Sequence, residues 1–447
     1  MQTVPSVAGR TLAPGRADLA RLGAAAVVLA VSVSAAYAVA RRPIATVVVL
    51  LAVLTIWLAA LRLSVAVAVL VASFYVEAYL TEGGTILTPA KLIGVLAVGA
   101  WFLAWGVGRR KLVVDRLFWP LTGLGLWIVL STATSYDLSS AAVVASRYLM
   151  FFTLAFLVVQ AVSGSLRRAV ALVDIAVAAG AVAAVLGLAN FLAGAGVQRA
   201  SGPILDPNDF AFLLAVTVPL AIYRIQSATE RWRRVLGAAG LLVMLVAILA
   251  TLSRGGLLGL LVPAAWALAT RRLTVRWAAV AIVAAAVIVL VAFQLVPAKL
   301  DTALRQKQHV GELNVESRLA AWKVALAEFR SAPLLGVGPG NYEGRYPEFG
   351  LPVGSRNGGI ATTHNAFLNV LAELGGPGLA LFLAYLLMAW RRLRRRSPGD
   401  PAVDALRSAL AAGFLAAIVG SMFLTEQFYA PLWLLPTLGA TIERSDR

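Results

Sequence analysis

Apolar runs of about twenty residues recur from one end of this 447-residue chain to the other. Each is long enough to cross a hydrocarbon core of about 30 Å at 1.5 Å per residue. In lipid, every backbone polar group has to be bonded internally. The chain is therefore expected to be all-α, a polytopic transmembrane helix bundle of about 12–14 spans, forming a single integral membrane domain over residues 1–447. Charged residues make up 13% of the sequence, about half the share of a soluble domain, which excludes a soluble enzyme carried on one anchor. Spans are read near 22–40, 43–61, 63–80, 88–107, 117–134, 141–162, 169–192, 208–226, 235–252, 255–270, 277–295, 364–389, 406–424 and 428–441.

Basic residues gather in short loops: Arg109-Arg110-Lys111, Arg167-Arg168, Arg231/Arg233/Arg234, Arg271-Arg272 and the run from Arg391 to Arg396. All fall on the cytoplasmic side if both termini are inside; Arg41-Arg42 breaks the pattern in the first hairpin. The net charge of +18 is then a topological signal beside anionic headgroups. Membrane lipids are expected partners and nucleic acid is not. Residues 21–40 resemble a signal peptide ending in Ala38-Val39-Ala40, but the apolar stretch is long and no polar region precedes that triplet, so an uncleaved first helix is expected. With no cysteine in the chain, disulfides, thiol nucleophiles and Cys-ligated metals are excluded.

Topology leaves some polar residues unexplained, and these sit on the outer half. Charge inside a span is costly and usually faces protein or a watery cavity. Arg147 in "VVASRYLMFF" either snorkels to the headgroups or faces such a cavity. In "VQRASGPILDPNDFA", Asp206 and Asp209 fit a turn and helix cap, while the role of Arg199 is open. "TLSRGGLLG" sets Arg254 beside Ser253, Gly255 and Gly256 at an outer turn. Glycines there let backbone approach a ligand, free N–H groups at a helix start favour an anion, and an arginine adds a bidentate grip on phosphate. The alternative for Arg254 is a tight turn with a snorkelling side chain.

One connection is long and hydrophilic, residues 297–363, and is expected to form a large extracytoplasmic loop. After Ser317, a helix-capping residue type, Leu319, Trp322, Leu326 and Phe329 recur at helical spacing, predicting an amphipathic helix on the outer surface or against the bundle. Arg318, Lys323 and Arg330 lie off that stripe, and Arg318 at the helix start is placed to face a site. "PLLGVGPGNYEGRYPEFG" follows. Its glycines lack the Gly-Lys-Ser/Thr and the strand-to-helix context of a nucleotide loop, so they are read as turns that shape the connection.

The connection ends in "TTHNAFLNVLAELGG", residues 362–376. Thr363 is expected to cap the next span, with His364 in its first turn, where the helix dipole disfavours the imidazolium and keeps a ring able to accept a proton. Four-residue steps put Asn365, Asn369 and Glu373 on one face as a polar stripe entering the bundle. His309 in "RQKQHVGEL" has no comparable setting.

A neutral histidine among arginines at an outer face suits a reaction in which a diphosphate leaves and an acceptor hydroxyl loses its proton. A lipid-linked sugar diphosphate provides that leaving group, with a tail that fits apolar helices. The sequence resembles the O-antigen ligase and polymerase superfamily of bacterial membrane glycosyltransferases. The similarity lies in Ser253-Arg254-Gly255-Gly256, Arg318 with Trp322, "PLLGVGPGNY" and "HNAFLNVLAELGGPG", in that order, over roughly residues 140–390. The resemblance implies a general-base role for His364, diphosphate binding by Arg254 and Arg318, and an inverting reaction without metal or other cofactor. Arg199 and Arg147 have less distinctive patterns but join the diphosphate-binding candidates; Ser253, Gly255, Asn365, Asn369 and Glu373 are expected to shape the site.

The implied donor is an undecaprenyl-diphosphate-linked glycan, and the acceptor a glycan, lipid or protein. The implied location is the bacterial cytoplasmic membrane, with the site facing outward. A ligase is preferred; polymerase and O-oligosaccharyltransferase belong to the same superfamily. A transporter of the same lipid would need basic residues along a midplane path; the polar set instead gathers at one face, with only Asp174 and Glu77 deeper.

Overall fold

The computed structural model describes residues 63–76, 89–193, 199–203, 206–271, 294, 317–350, 362–396 and 399–442. The spans expected at 22–40 and 43–61, nearly all of 277–295, Arg41-Arg42, Glu77, His309 and the rest of the long connection lie outside the described residues.

Among the described residues every regular element is helical: α1 (Leu63–Ser73), α2 (Pro89–Gly106), α3 (Phe118–Ala133), α4 (Leu138–Val162), α5 (Leu166–Ala193), α6 (Pro207–Ser227), α7 (Arg231–Ala250) and α8 (Arg254–Ala269). The amphipathic helix α9 follows over 317–331, then α10 (Tyr342–Gly350), α11 (Ala366–Leu393), α12 (Pro401–Ser421) and α13 (Ala430–Ile442). Six of these, α4, α5, α6, α7, α11 and α12, are long and apolar enough to cross a membrane. Five shorter apolar helices, α1, α2, α3, α8 and α13, accompany them. The protein is thus a polytopic helical bundle, as its apolar runs require.

Sequence sets several helix starts directly. Asp137, Asp206, Ser253, Asn365 and Asp400 each stand in extended backbone and accept amide bonds from the first turn of α4, α6, α8, α11 and α12, satisfying donors that a helix start otherwise leaves free. α6 is the central helix, with 67% of its apolar window buried against 17% for α7; α7 therefore has a broad face open to lipid.

The two ends of the bundle differ. At one, Arg392 pairs with Asp115 at 2.5 Å, Arg224 pairs with Asp174, and Trp266 meets Trp390. Asp174, expected to lie deeper in the bundle, is instead exposed at this end, where its ion pair with Arg224 forms. Loops 134–137, 199–203, 251–253, 332–341, 362–365 and 422–429 meet at the other end through the bonds Asp137 N to Asn341 Oδ1 (2.7 Å), Arg199 Nε to Thr251 O (2.7 Å) and Ala366 N to Leu424 O (3.0 Å).

α11 is broken at Gly375, whose backbone (φ 68, ψ −173) leaves the helical region, a conformation essentially restricted to glycine. The break lies nine residues below Ala366, roughly 13 Å along the axis. Backbone carbonyls and an N–H released there are taken up by neighbours. Val337 N bonds Ala372 O (3.0 Å), Gly338 N bonds Glu373 O (3.0 Å), Trp127 Nε1 bonds Leu374 O (2.8 Å), and Gly376 N bonds Pro333 O (2.9 Å). The glycine-rich segment is thus a backbone clasp on α11, more than a turn. Gly336 has φ 73, and a Cβ there would collide with the Glu373 carbonyl.

Helix α9 forms where the periodicity predicts, but with a different buried face. Ala321, Val324 and Ala325 pack with Tyr342, Tyr346 and Ala372, whereas Leu319 and Leu326 of the expected stripe are exposed. Glu328 shares the buried face at 0% exposure, and neither carboxyl oxygen has a hydrogen-bond partner. Burial, with help from the neighbouring Glu373 and against Arg345, pushes its carboxyl up to about 9.

Two outcomes are expected for the purified full-length chain. Gly336→Ala and Gly375→Ala each lose at least about 1–3 kcal/mol of stability through forbidden backbone geometry, read as a lower Tm, whereas Gly344→Ala, where a Cβ meets nothing within 4 Å, does not lower it. A raised Glu328 pKa means that its contribution to stability is complete below the ordinary value of 4.5 and is lost as pH rises through about 9. Glu328→Gln should accordingly raise Tm at pH 8 and leave it nearly unchanged at pH 4.5; an equal effect at both would remove this group from the pH dependence.

Candidate functional site

The His364 turn is built by its neighbours. Trp322 on α9 donates its indole N–H to Thr363 O at 3.0 Å. Asn365 caps α11 by accepting from Phe367 N and Leu368 N, both at 3.0 Å, and its amide donates to Met422 O at 3.1 Å. The expected cap, Thr363, instead bonds the Asn365 backbone in both directions. His364 consequently lies before the helix and not in its first turn. Its φ is 46, the left-handed region, in which histidine is enriched relative to most non-glycine residues. Nε2 lies 3.1 Å from the Thr362 hydroxyl. The imidazolium is disfavoured, first by burial and then by the Arg318 charge, with Asp206 opposing. The ring is thus kept neutral mainly by burial, where the sequence pointed to the helix dipole.

Arginines approach this turn from two other directions. Arg318, in the first turn of α9, is half-buried, and its buried Nε–H has no hydrogen-bond partner. Arg199 is oriented by Thr251 O (2.7 Å) and by Asn208 Oδ1 (3.1 Å). Burial lowers the pKa of both guanidinium groups, and Asp206 opposes that shift in each case. His364, Arg318, Arg199 and the capping carboxylate of Asp206 therefore form one electrostatic neighbourhood. Asp209, on the same turn, accepts from Tyr429.

Arg254 is exposed at the start of α8. Ser253 caps that helix through Gly256 N at 3.2 Å. Gly256 is required for contact with α6, since a Cβ there would stand 2.5 Å from Ala211 Cβ. At Gly255 a Cβ would lie 3.8 Å from Phe423 Cβ, so the Ser253-Gly256 turn abuts the same 422–424 segment that holds Asn365 and Ala366. The preceding Leu252 also has a positive φ, 52.

Arg147 is separate from this group. It lies over the Phe428 ring, 5.7 Å from the centroid, and lines a cleft of about 590 Å³ together with Ser140, Thr362, Asn369, Glu373 and Thr425. Asn369 and Glu373 thus share a face as their spacing predicts, while Asn365 leaves it to act as the cap. Gln427 donates to Asn369 Oδ1, and Asn369 Nδ2 lies 3.4 Å from Glu373 Oε1. Glu373 Oε2 is buried without a partner. Thr362, Thr425, Gln427 and Ser140 carry no sequence signal of their own and are recognised only through this packing. Among the described residues no group of three or more His, Cys, Asp or Glu side chains is positioned to hold a metal ion.

Comparison with curated proteins gives no match. Residues 238–383, however, match the family model Wzy_C, described as O-antigen ligase. That stretch contains the Ser253-Gly256 turn, α9, the clasp, the His364 turn and the break in α11. Residues 238–383 are thus similar to the O-antigen ligase family model, consistent with the O-antigen ligase superfamily that the chain's motifs resemble.

Proposed function

We propose that the protein is an O-antigen ligase-like glycosyltransferase that moves a glycan from undecaprenyl diphosphate to an acceptor hydroxyl. One observation carries the reading: a histidine disfavoured as imidazolium stands beside Arg318, whose buried Nε–H has no partner. A buried unsatisfied donor on a cation calls for an anion. In this mechanism His364 accepts the acceptor proton, while Arg318, Arg199 and Arg254 hold the diphosphate and stabilise the charge that develops as it leaves. Those cations supply the charge compensation a divalent metal would otherwise give, so turnover is expected to persist in EDTA.

The opposite end of the bundle bears most of the basic loops. The positive-inside tendency favours a cytoplasmic position for that end, which supports a reaction at the outer face of the cytoplasmic membrane. Clustering of the polar groups at that end, with Asp174 already paired to Arg224, favours a transferase over a carrier with a midplane path.

The test follows polyprenyl diphosphate released from an undecaprenyl-diphosphate glycan by purified protein, with EDTA present. His364→Ala should fall at least about 100-fold, the lower range for general-base catalysis. Arg318→Lys keeps the charge but loses the planar fork, and should fall at least about tenfold. Product length separates single transfer from polymerisation. Undiminished release by a folded His364→Ala protein would exclude the base mechanism, and movement of the lipid across vesicles without release would favour transport.

A further inference from the structure

Helices α3 and α11 run antiparallel and touch at two levels. Near the break in α11 the contact is close: a Cβ on Gly378 would lie 3.2 Å from Trp127 Cδ1, and one on Gly123 would lie 3.1 Å from Leu381 Cδ2. At the basic end of the bundle the pair is tied again by Arg392 and Asp115. Between these contacts the helices part, leaving a niche of about 360 Å³ lined by Arg116, Trp119, Pro120, Ala384 and Met388.

Its lining changes character along the bundle axis. Ala384 and Met388, one turn apart on α11, give an apolar wall, and Trp119 and Pro120 line it from the first turn of α3. Arg116 stands one turn further towards the basic end. Trp119 is 76% exposed, the setting of an aromatic side chain at the membrane interface and not of a core residue. Arg116 is exposed too. Asp115 beside it is taken by Arg392, and among the described residues no acid pairs with Arg116.

An empty concavity forfeits the dispersion contacts of its walls, and in a bilayer the apolar material at hand to fill it is an acyl chain. The head of the same molecule then lies at Arg116. Arg391, three residues beyond Met388 and exposed, adds positive charge on the α11 side. Basic pockets between transmembrane helices on the cytoplasmic side suit anionic headgroups.

We propose that this niche binds one anionic phospholipid from the leaflet at the basic end of the bundle, its phosphate on Arg116 and one acyl chain against Trp119, Pro120, Ala384 and Met388. The site is at the opposite end from His364 and does not depend on the transferase reading. Its consequence is structural. α3 also carries Trp127 and Ser131, which bond Leu374 O and Leu335 O, both at 2.8 Å, around the break in α11. A lipid filling the space between α3 and α11 braces, from the other leaflet, the helix pair that holds the clasp.

The test titrates full-length protein in an uncharged detergent with dioleoyl phosphatidylglycerol, or with dioleoyl phosphatidylcholine as the zwitterionic probe with the same chains. Bound lipid is counted by native mass spectrometry, and a Tm measured without lipid checks that each variant is folded. Wild type is expected to bind its first phosphatidylglycerol at least about fivefold more tightly than phosphatidylcholine. Arg116→Gln should weaken phosphatidylglycerol by about fivefold and leave phosphatidylcholine within about twofold. Ala384→Phe, which fills the niche from an exposed position, should weaken both by at least about fivefold. Arg396→Gln removes the same charge from an exposed residue outside the niche and should leave both unchanged.

Equal binding of the two lipids by wild type would overturn the anionic assignment. Undiminished binding by folded Ala384→Phe protein would remove the lipid from the niche. An equal loss in Arg396→Gln and Arg116→Gln would trace the attraction to the general charge of that end and overturn the site.

Discussion

Breaking a helix inside an apolar bundle releases carbonyls that have no water to bond, and the docking of the glycine-rich segment on α11 is the answer to that constraint. Residues 333–338 and the side chain of Trp127 satisfy the open turn around Gly375. Both flanks of the candidate site hang from this clasp. Upstream it fixes the end of α9, which carries Arg318 and, through Trp322, holds Thr363 beside the histidine. Downstream, Asn341 exchanges hydrogen bonds with the Asp137 backbone at the start of α4, the helix that bears Arg147.

Cations occur at both ends of the bundle for different physical reasons. At the end remote from His364 two of the arginines are matched by acids: Arg392 with Asp115 and Arg224 with Asp174. Around His364 the balance is different. Arg199 is held by a carbonyl and an amide, neither of which neutralises it, and Arg318 keeps an unsatisfied buried Nε–H. Desolvated positive charge without a bound counter-charge is costly, and the diphosphate of the proposed donor would relieve that cost. Asp206 limits the cost without removing it, because its own oxygen is engaged with the first amides of α6.

Much of the bundle is legible from apolar length alone. Spans read at 169–192, 208–226 and 235–252 are the helices Leu166–Ala193, Pro207–Ser227 and Arg231–Ala250, since hydropathy reports the bilayer directly. Asp206 as a cap was equally readable from Asp-Pro-Asn-Asp. What remained hidden depends on partners distant in sequence. Asn365 displaces Thr363 as the cap of α11 because the Met422 and Leu424 carbonyls hold the Asn365 amide and the first residue of the helix. Helix α9 buries Ala321 and Val324 in preference to Leu319 because the face that meets Tyr342, Tyr346 and Ala372 is set by partners on α10 and α11. The glycines of 336–340 read as turns because no local pattern reveals that their backbone will bond a broken helix. Gln427 is visible only once Asn369 is placed beside it.

Strain is distributed around the same centre. His364 and Leu252 both adopt positive φ, each at a cost of order 1–3 kcal/mol, and both precede a helix whose start abuts residues 422–424. Relaxing either turn would swing its arginine or histidine away from the others. What prevents relaxation is a set of bonds that involve neither charge directly: Trp322 to Thr363 O, Asn365 to Met422 O, and Ser253 N to Thr251 Oγ1 at 3.1 Å. The polar groups are thereby oriented before a ligand arrives, and a reaction that develops charge gains most from dipoles that need not reorganise. The left-handed turn at His364 is then explicable as the cost of holding Nε2 against the cleft while α11 enters the bundle in another direction.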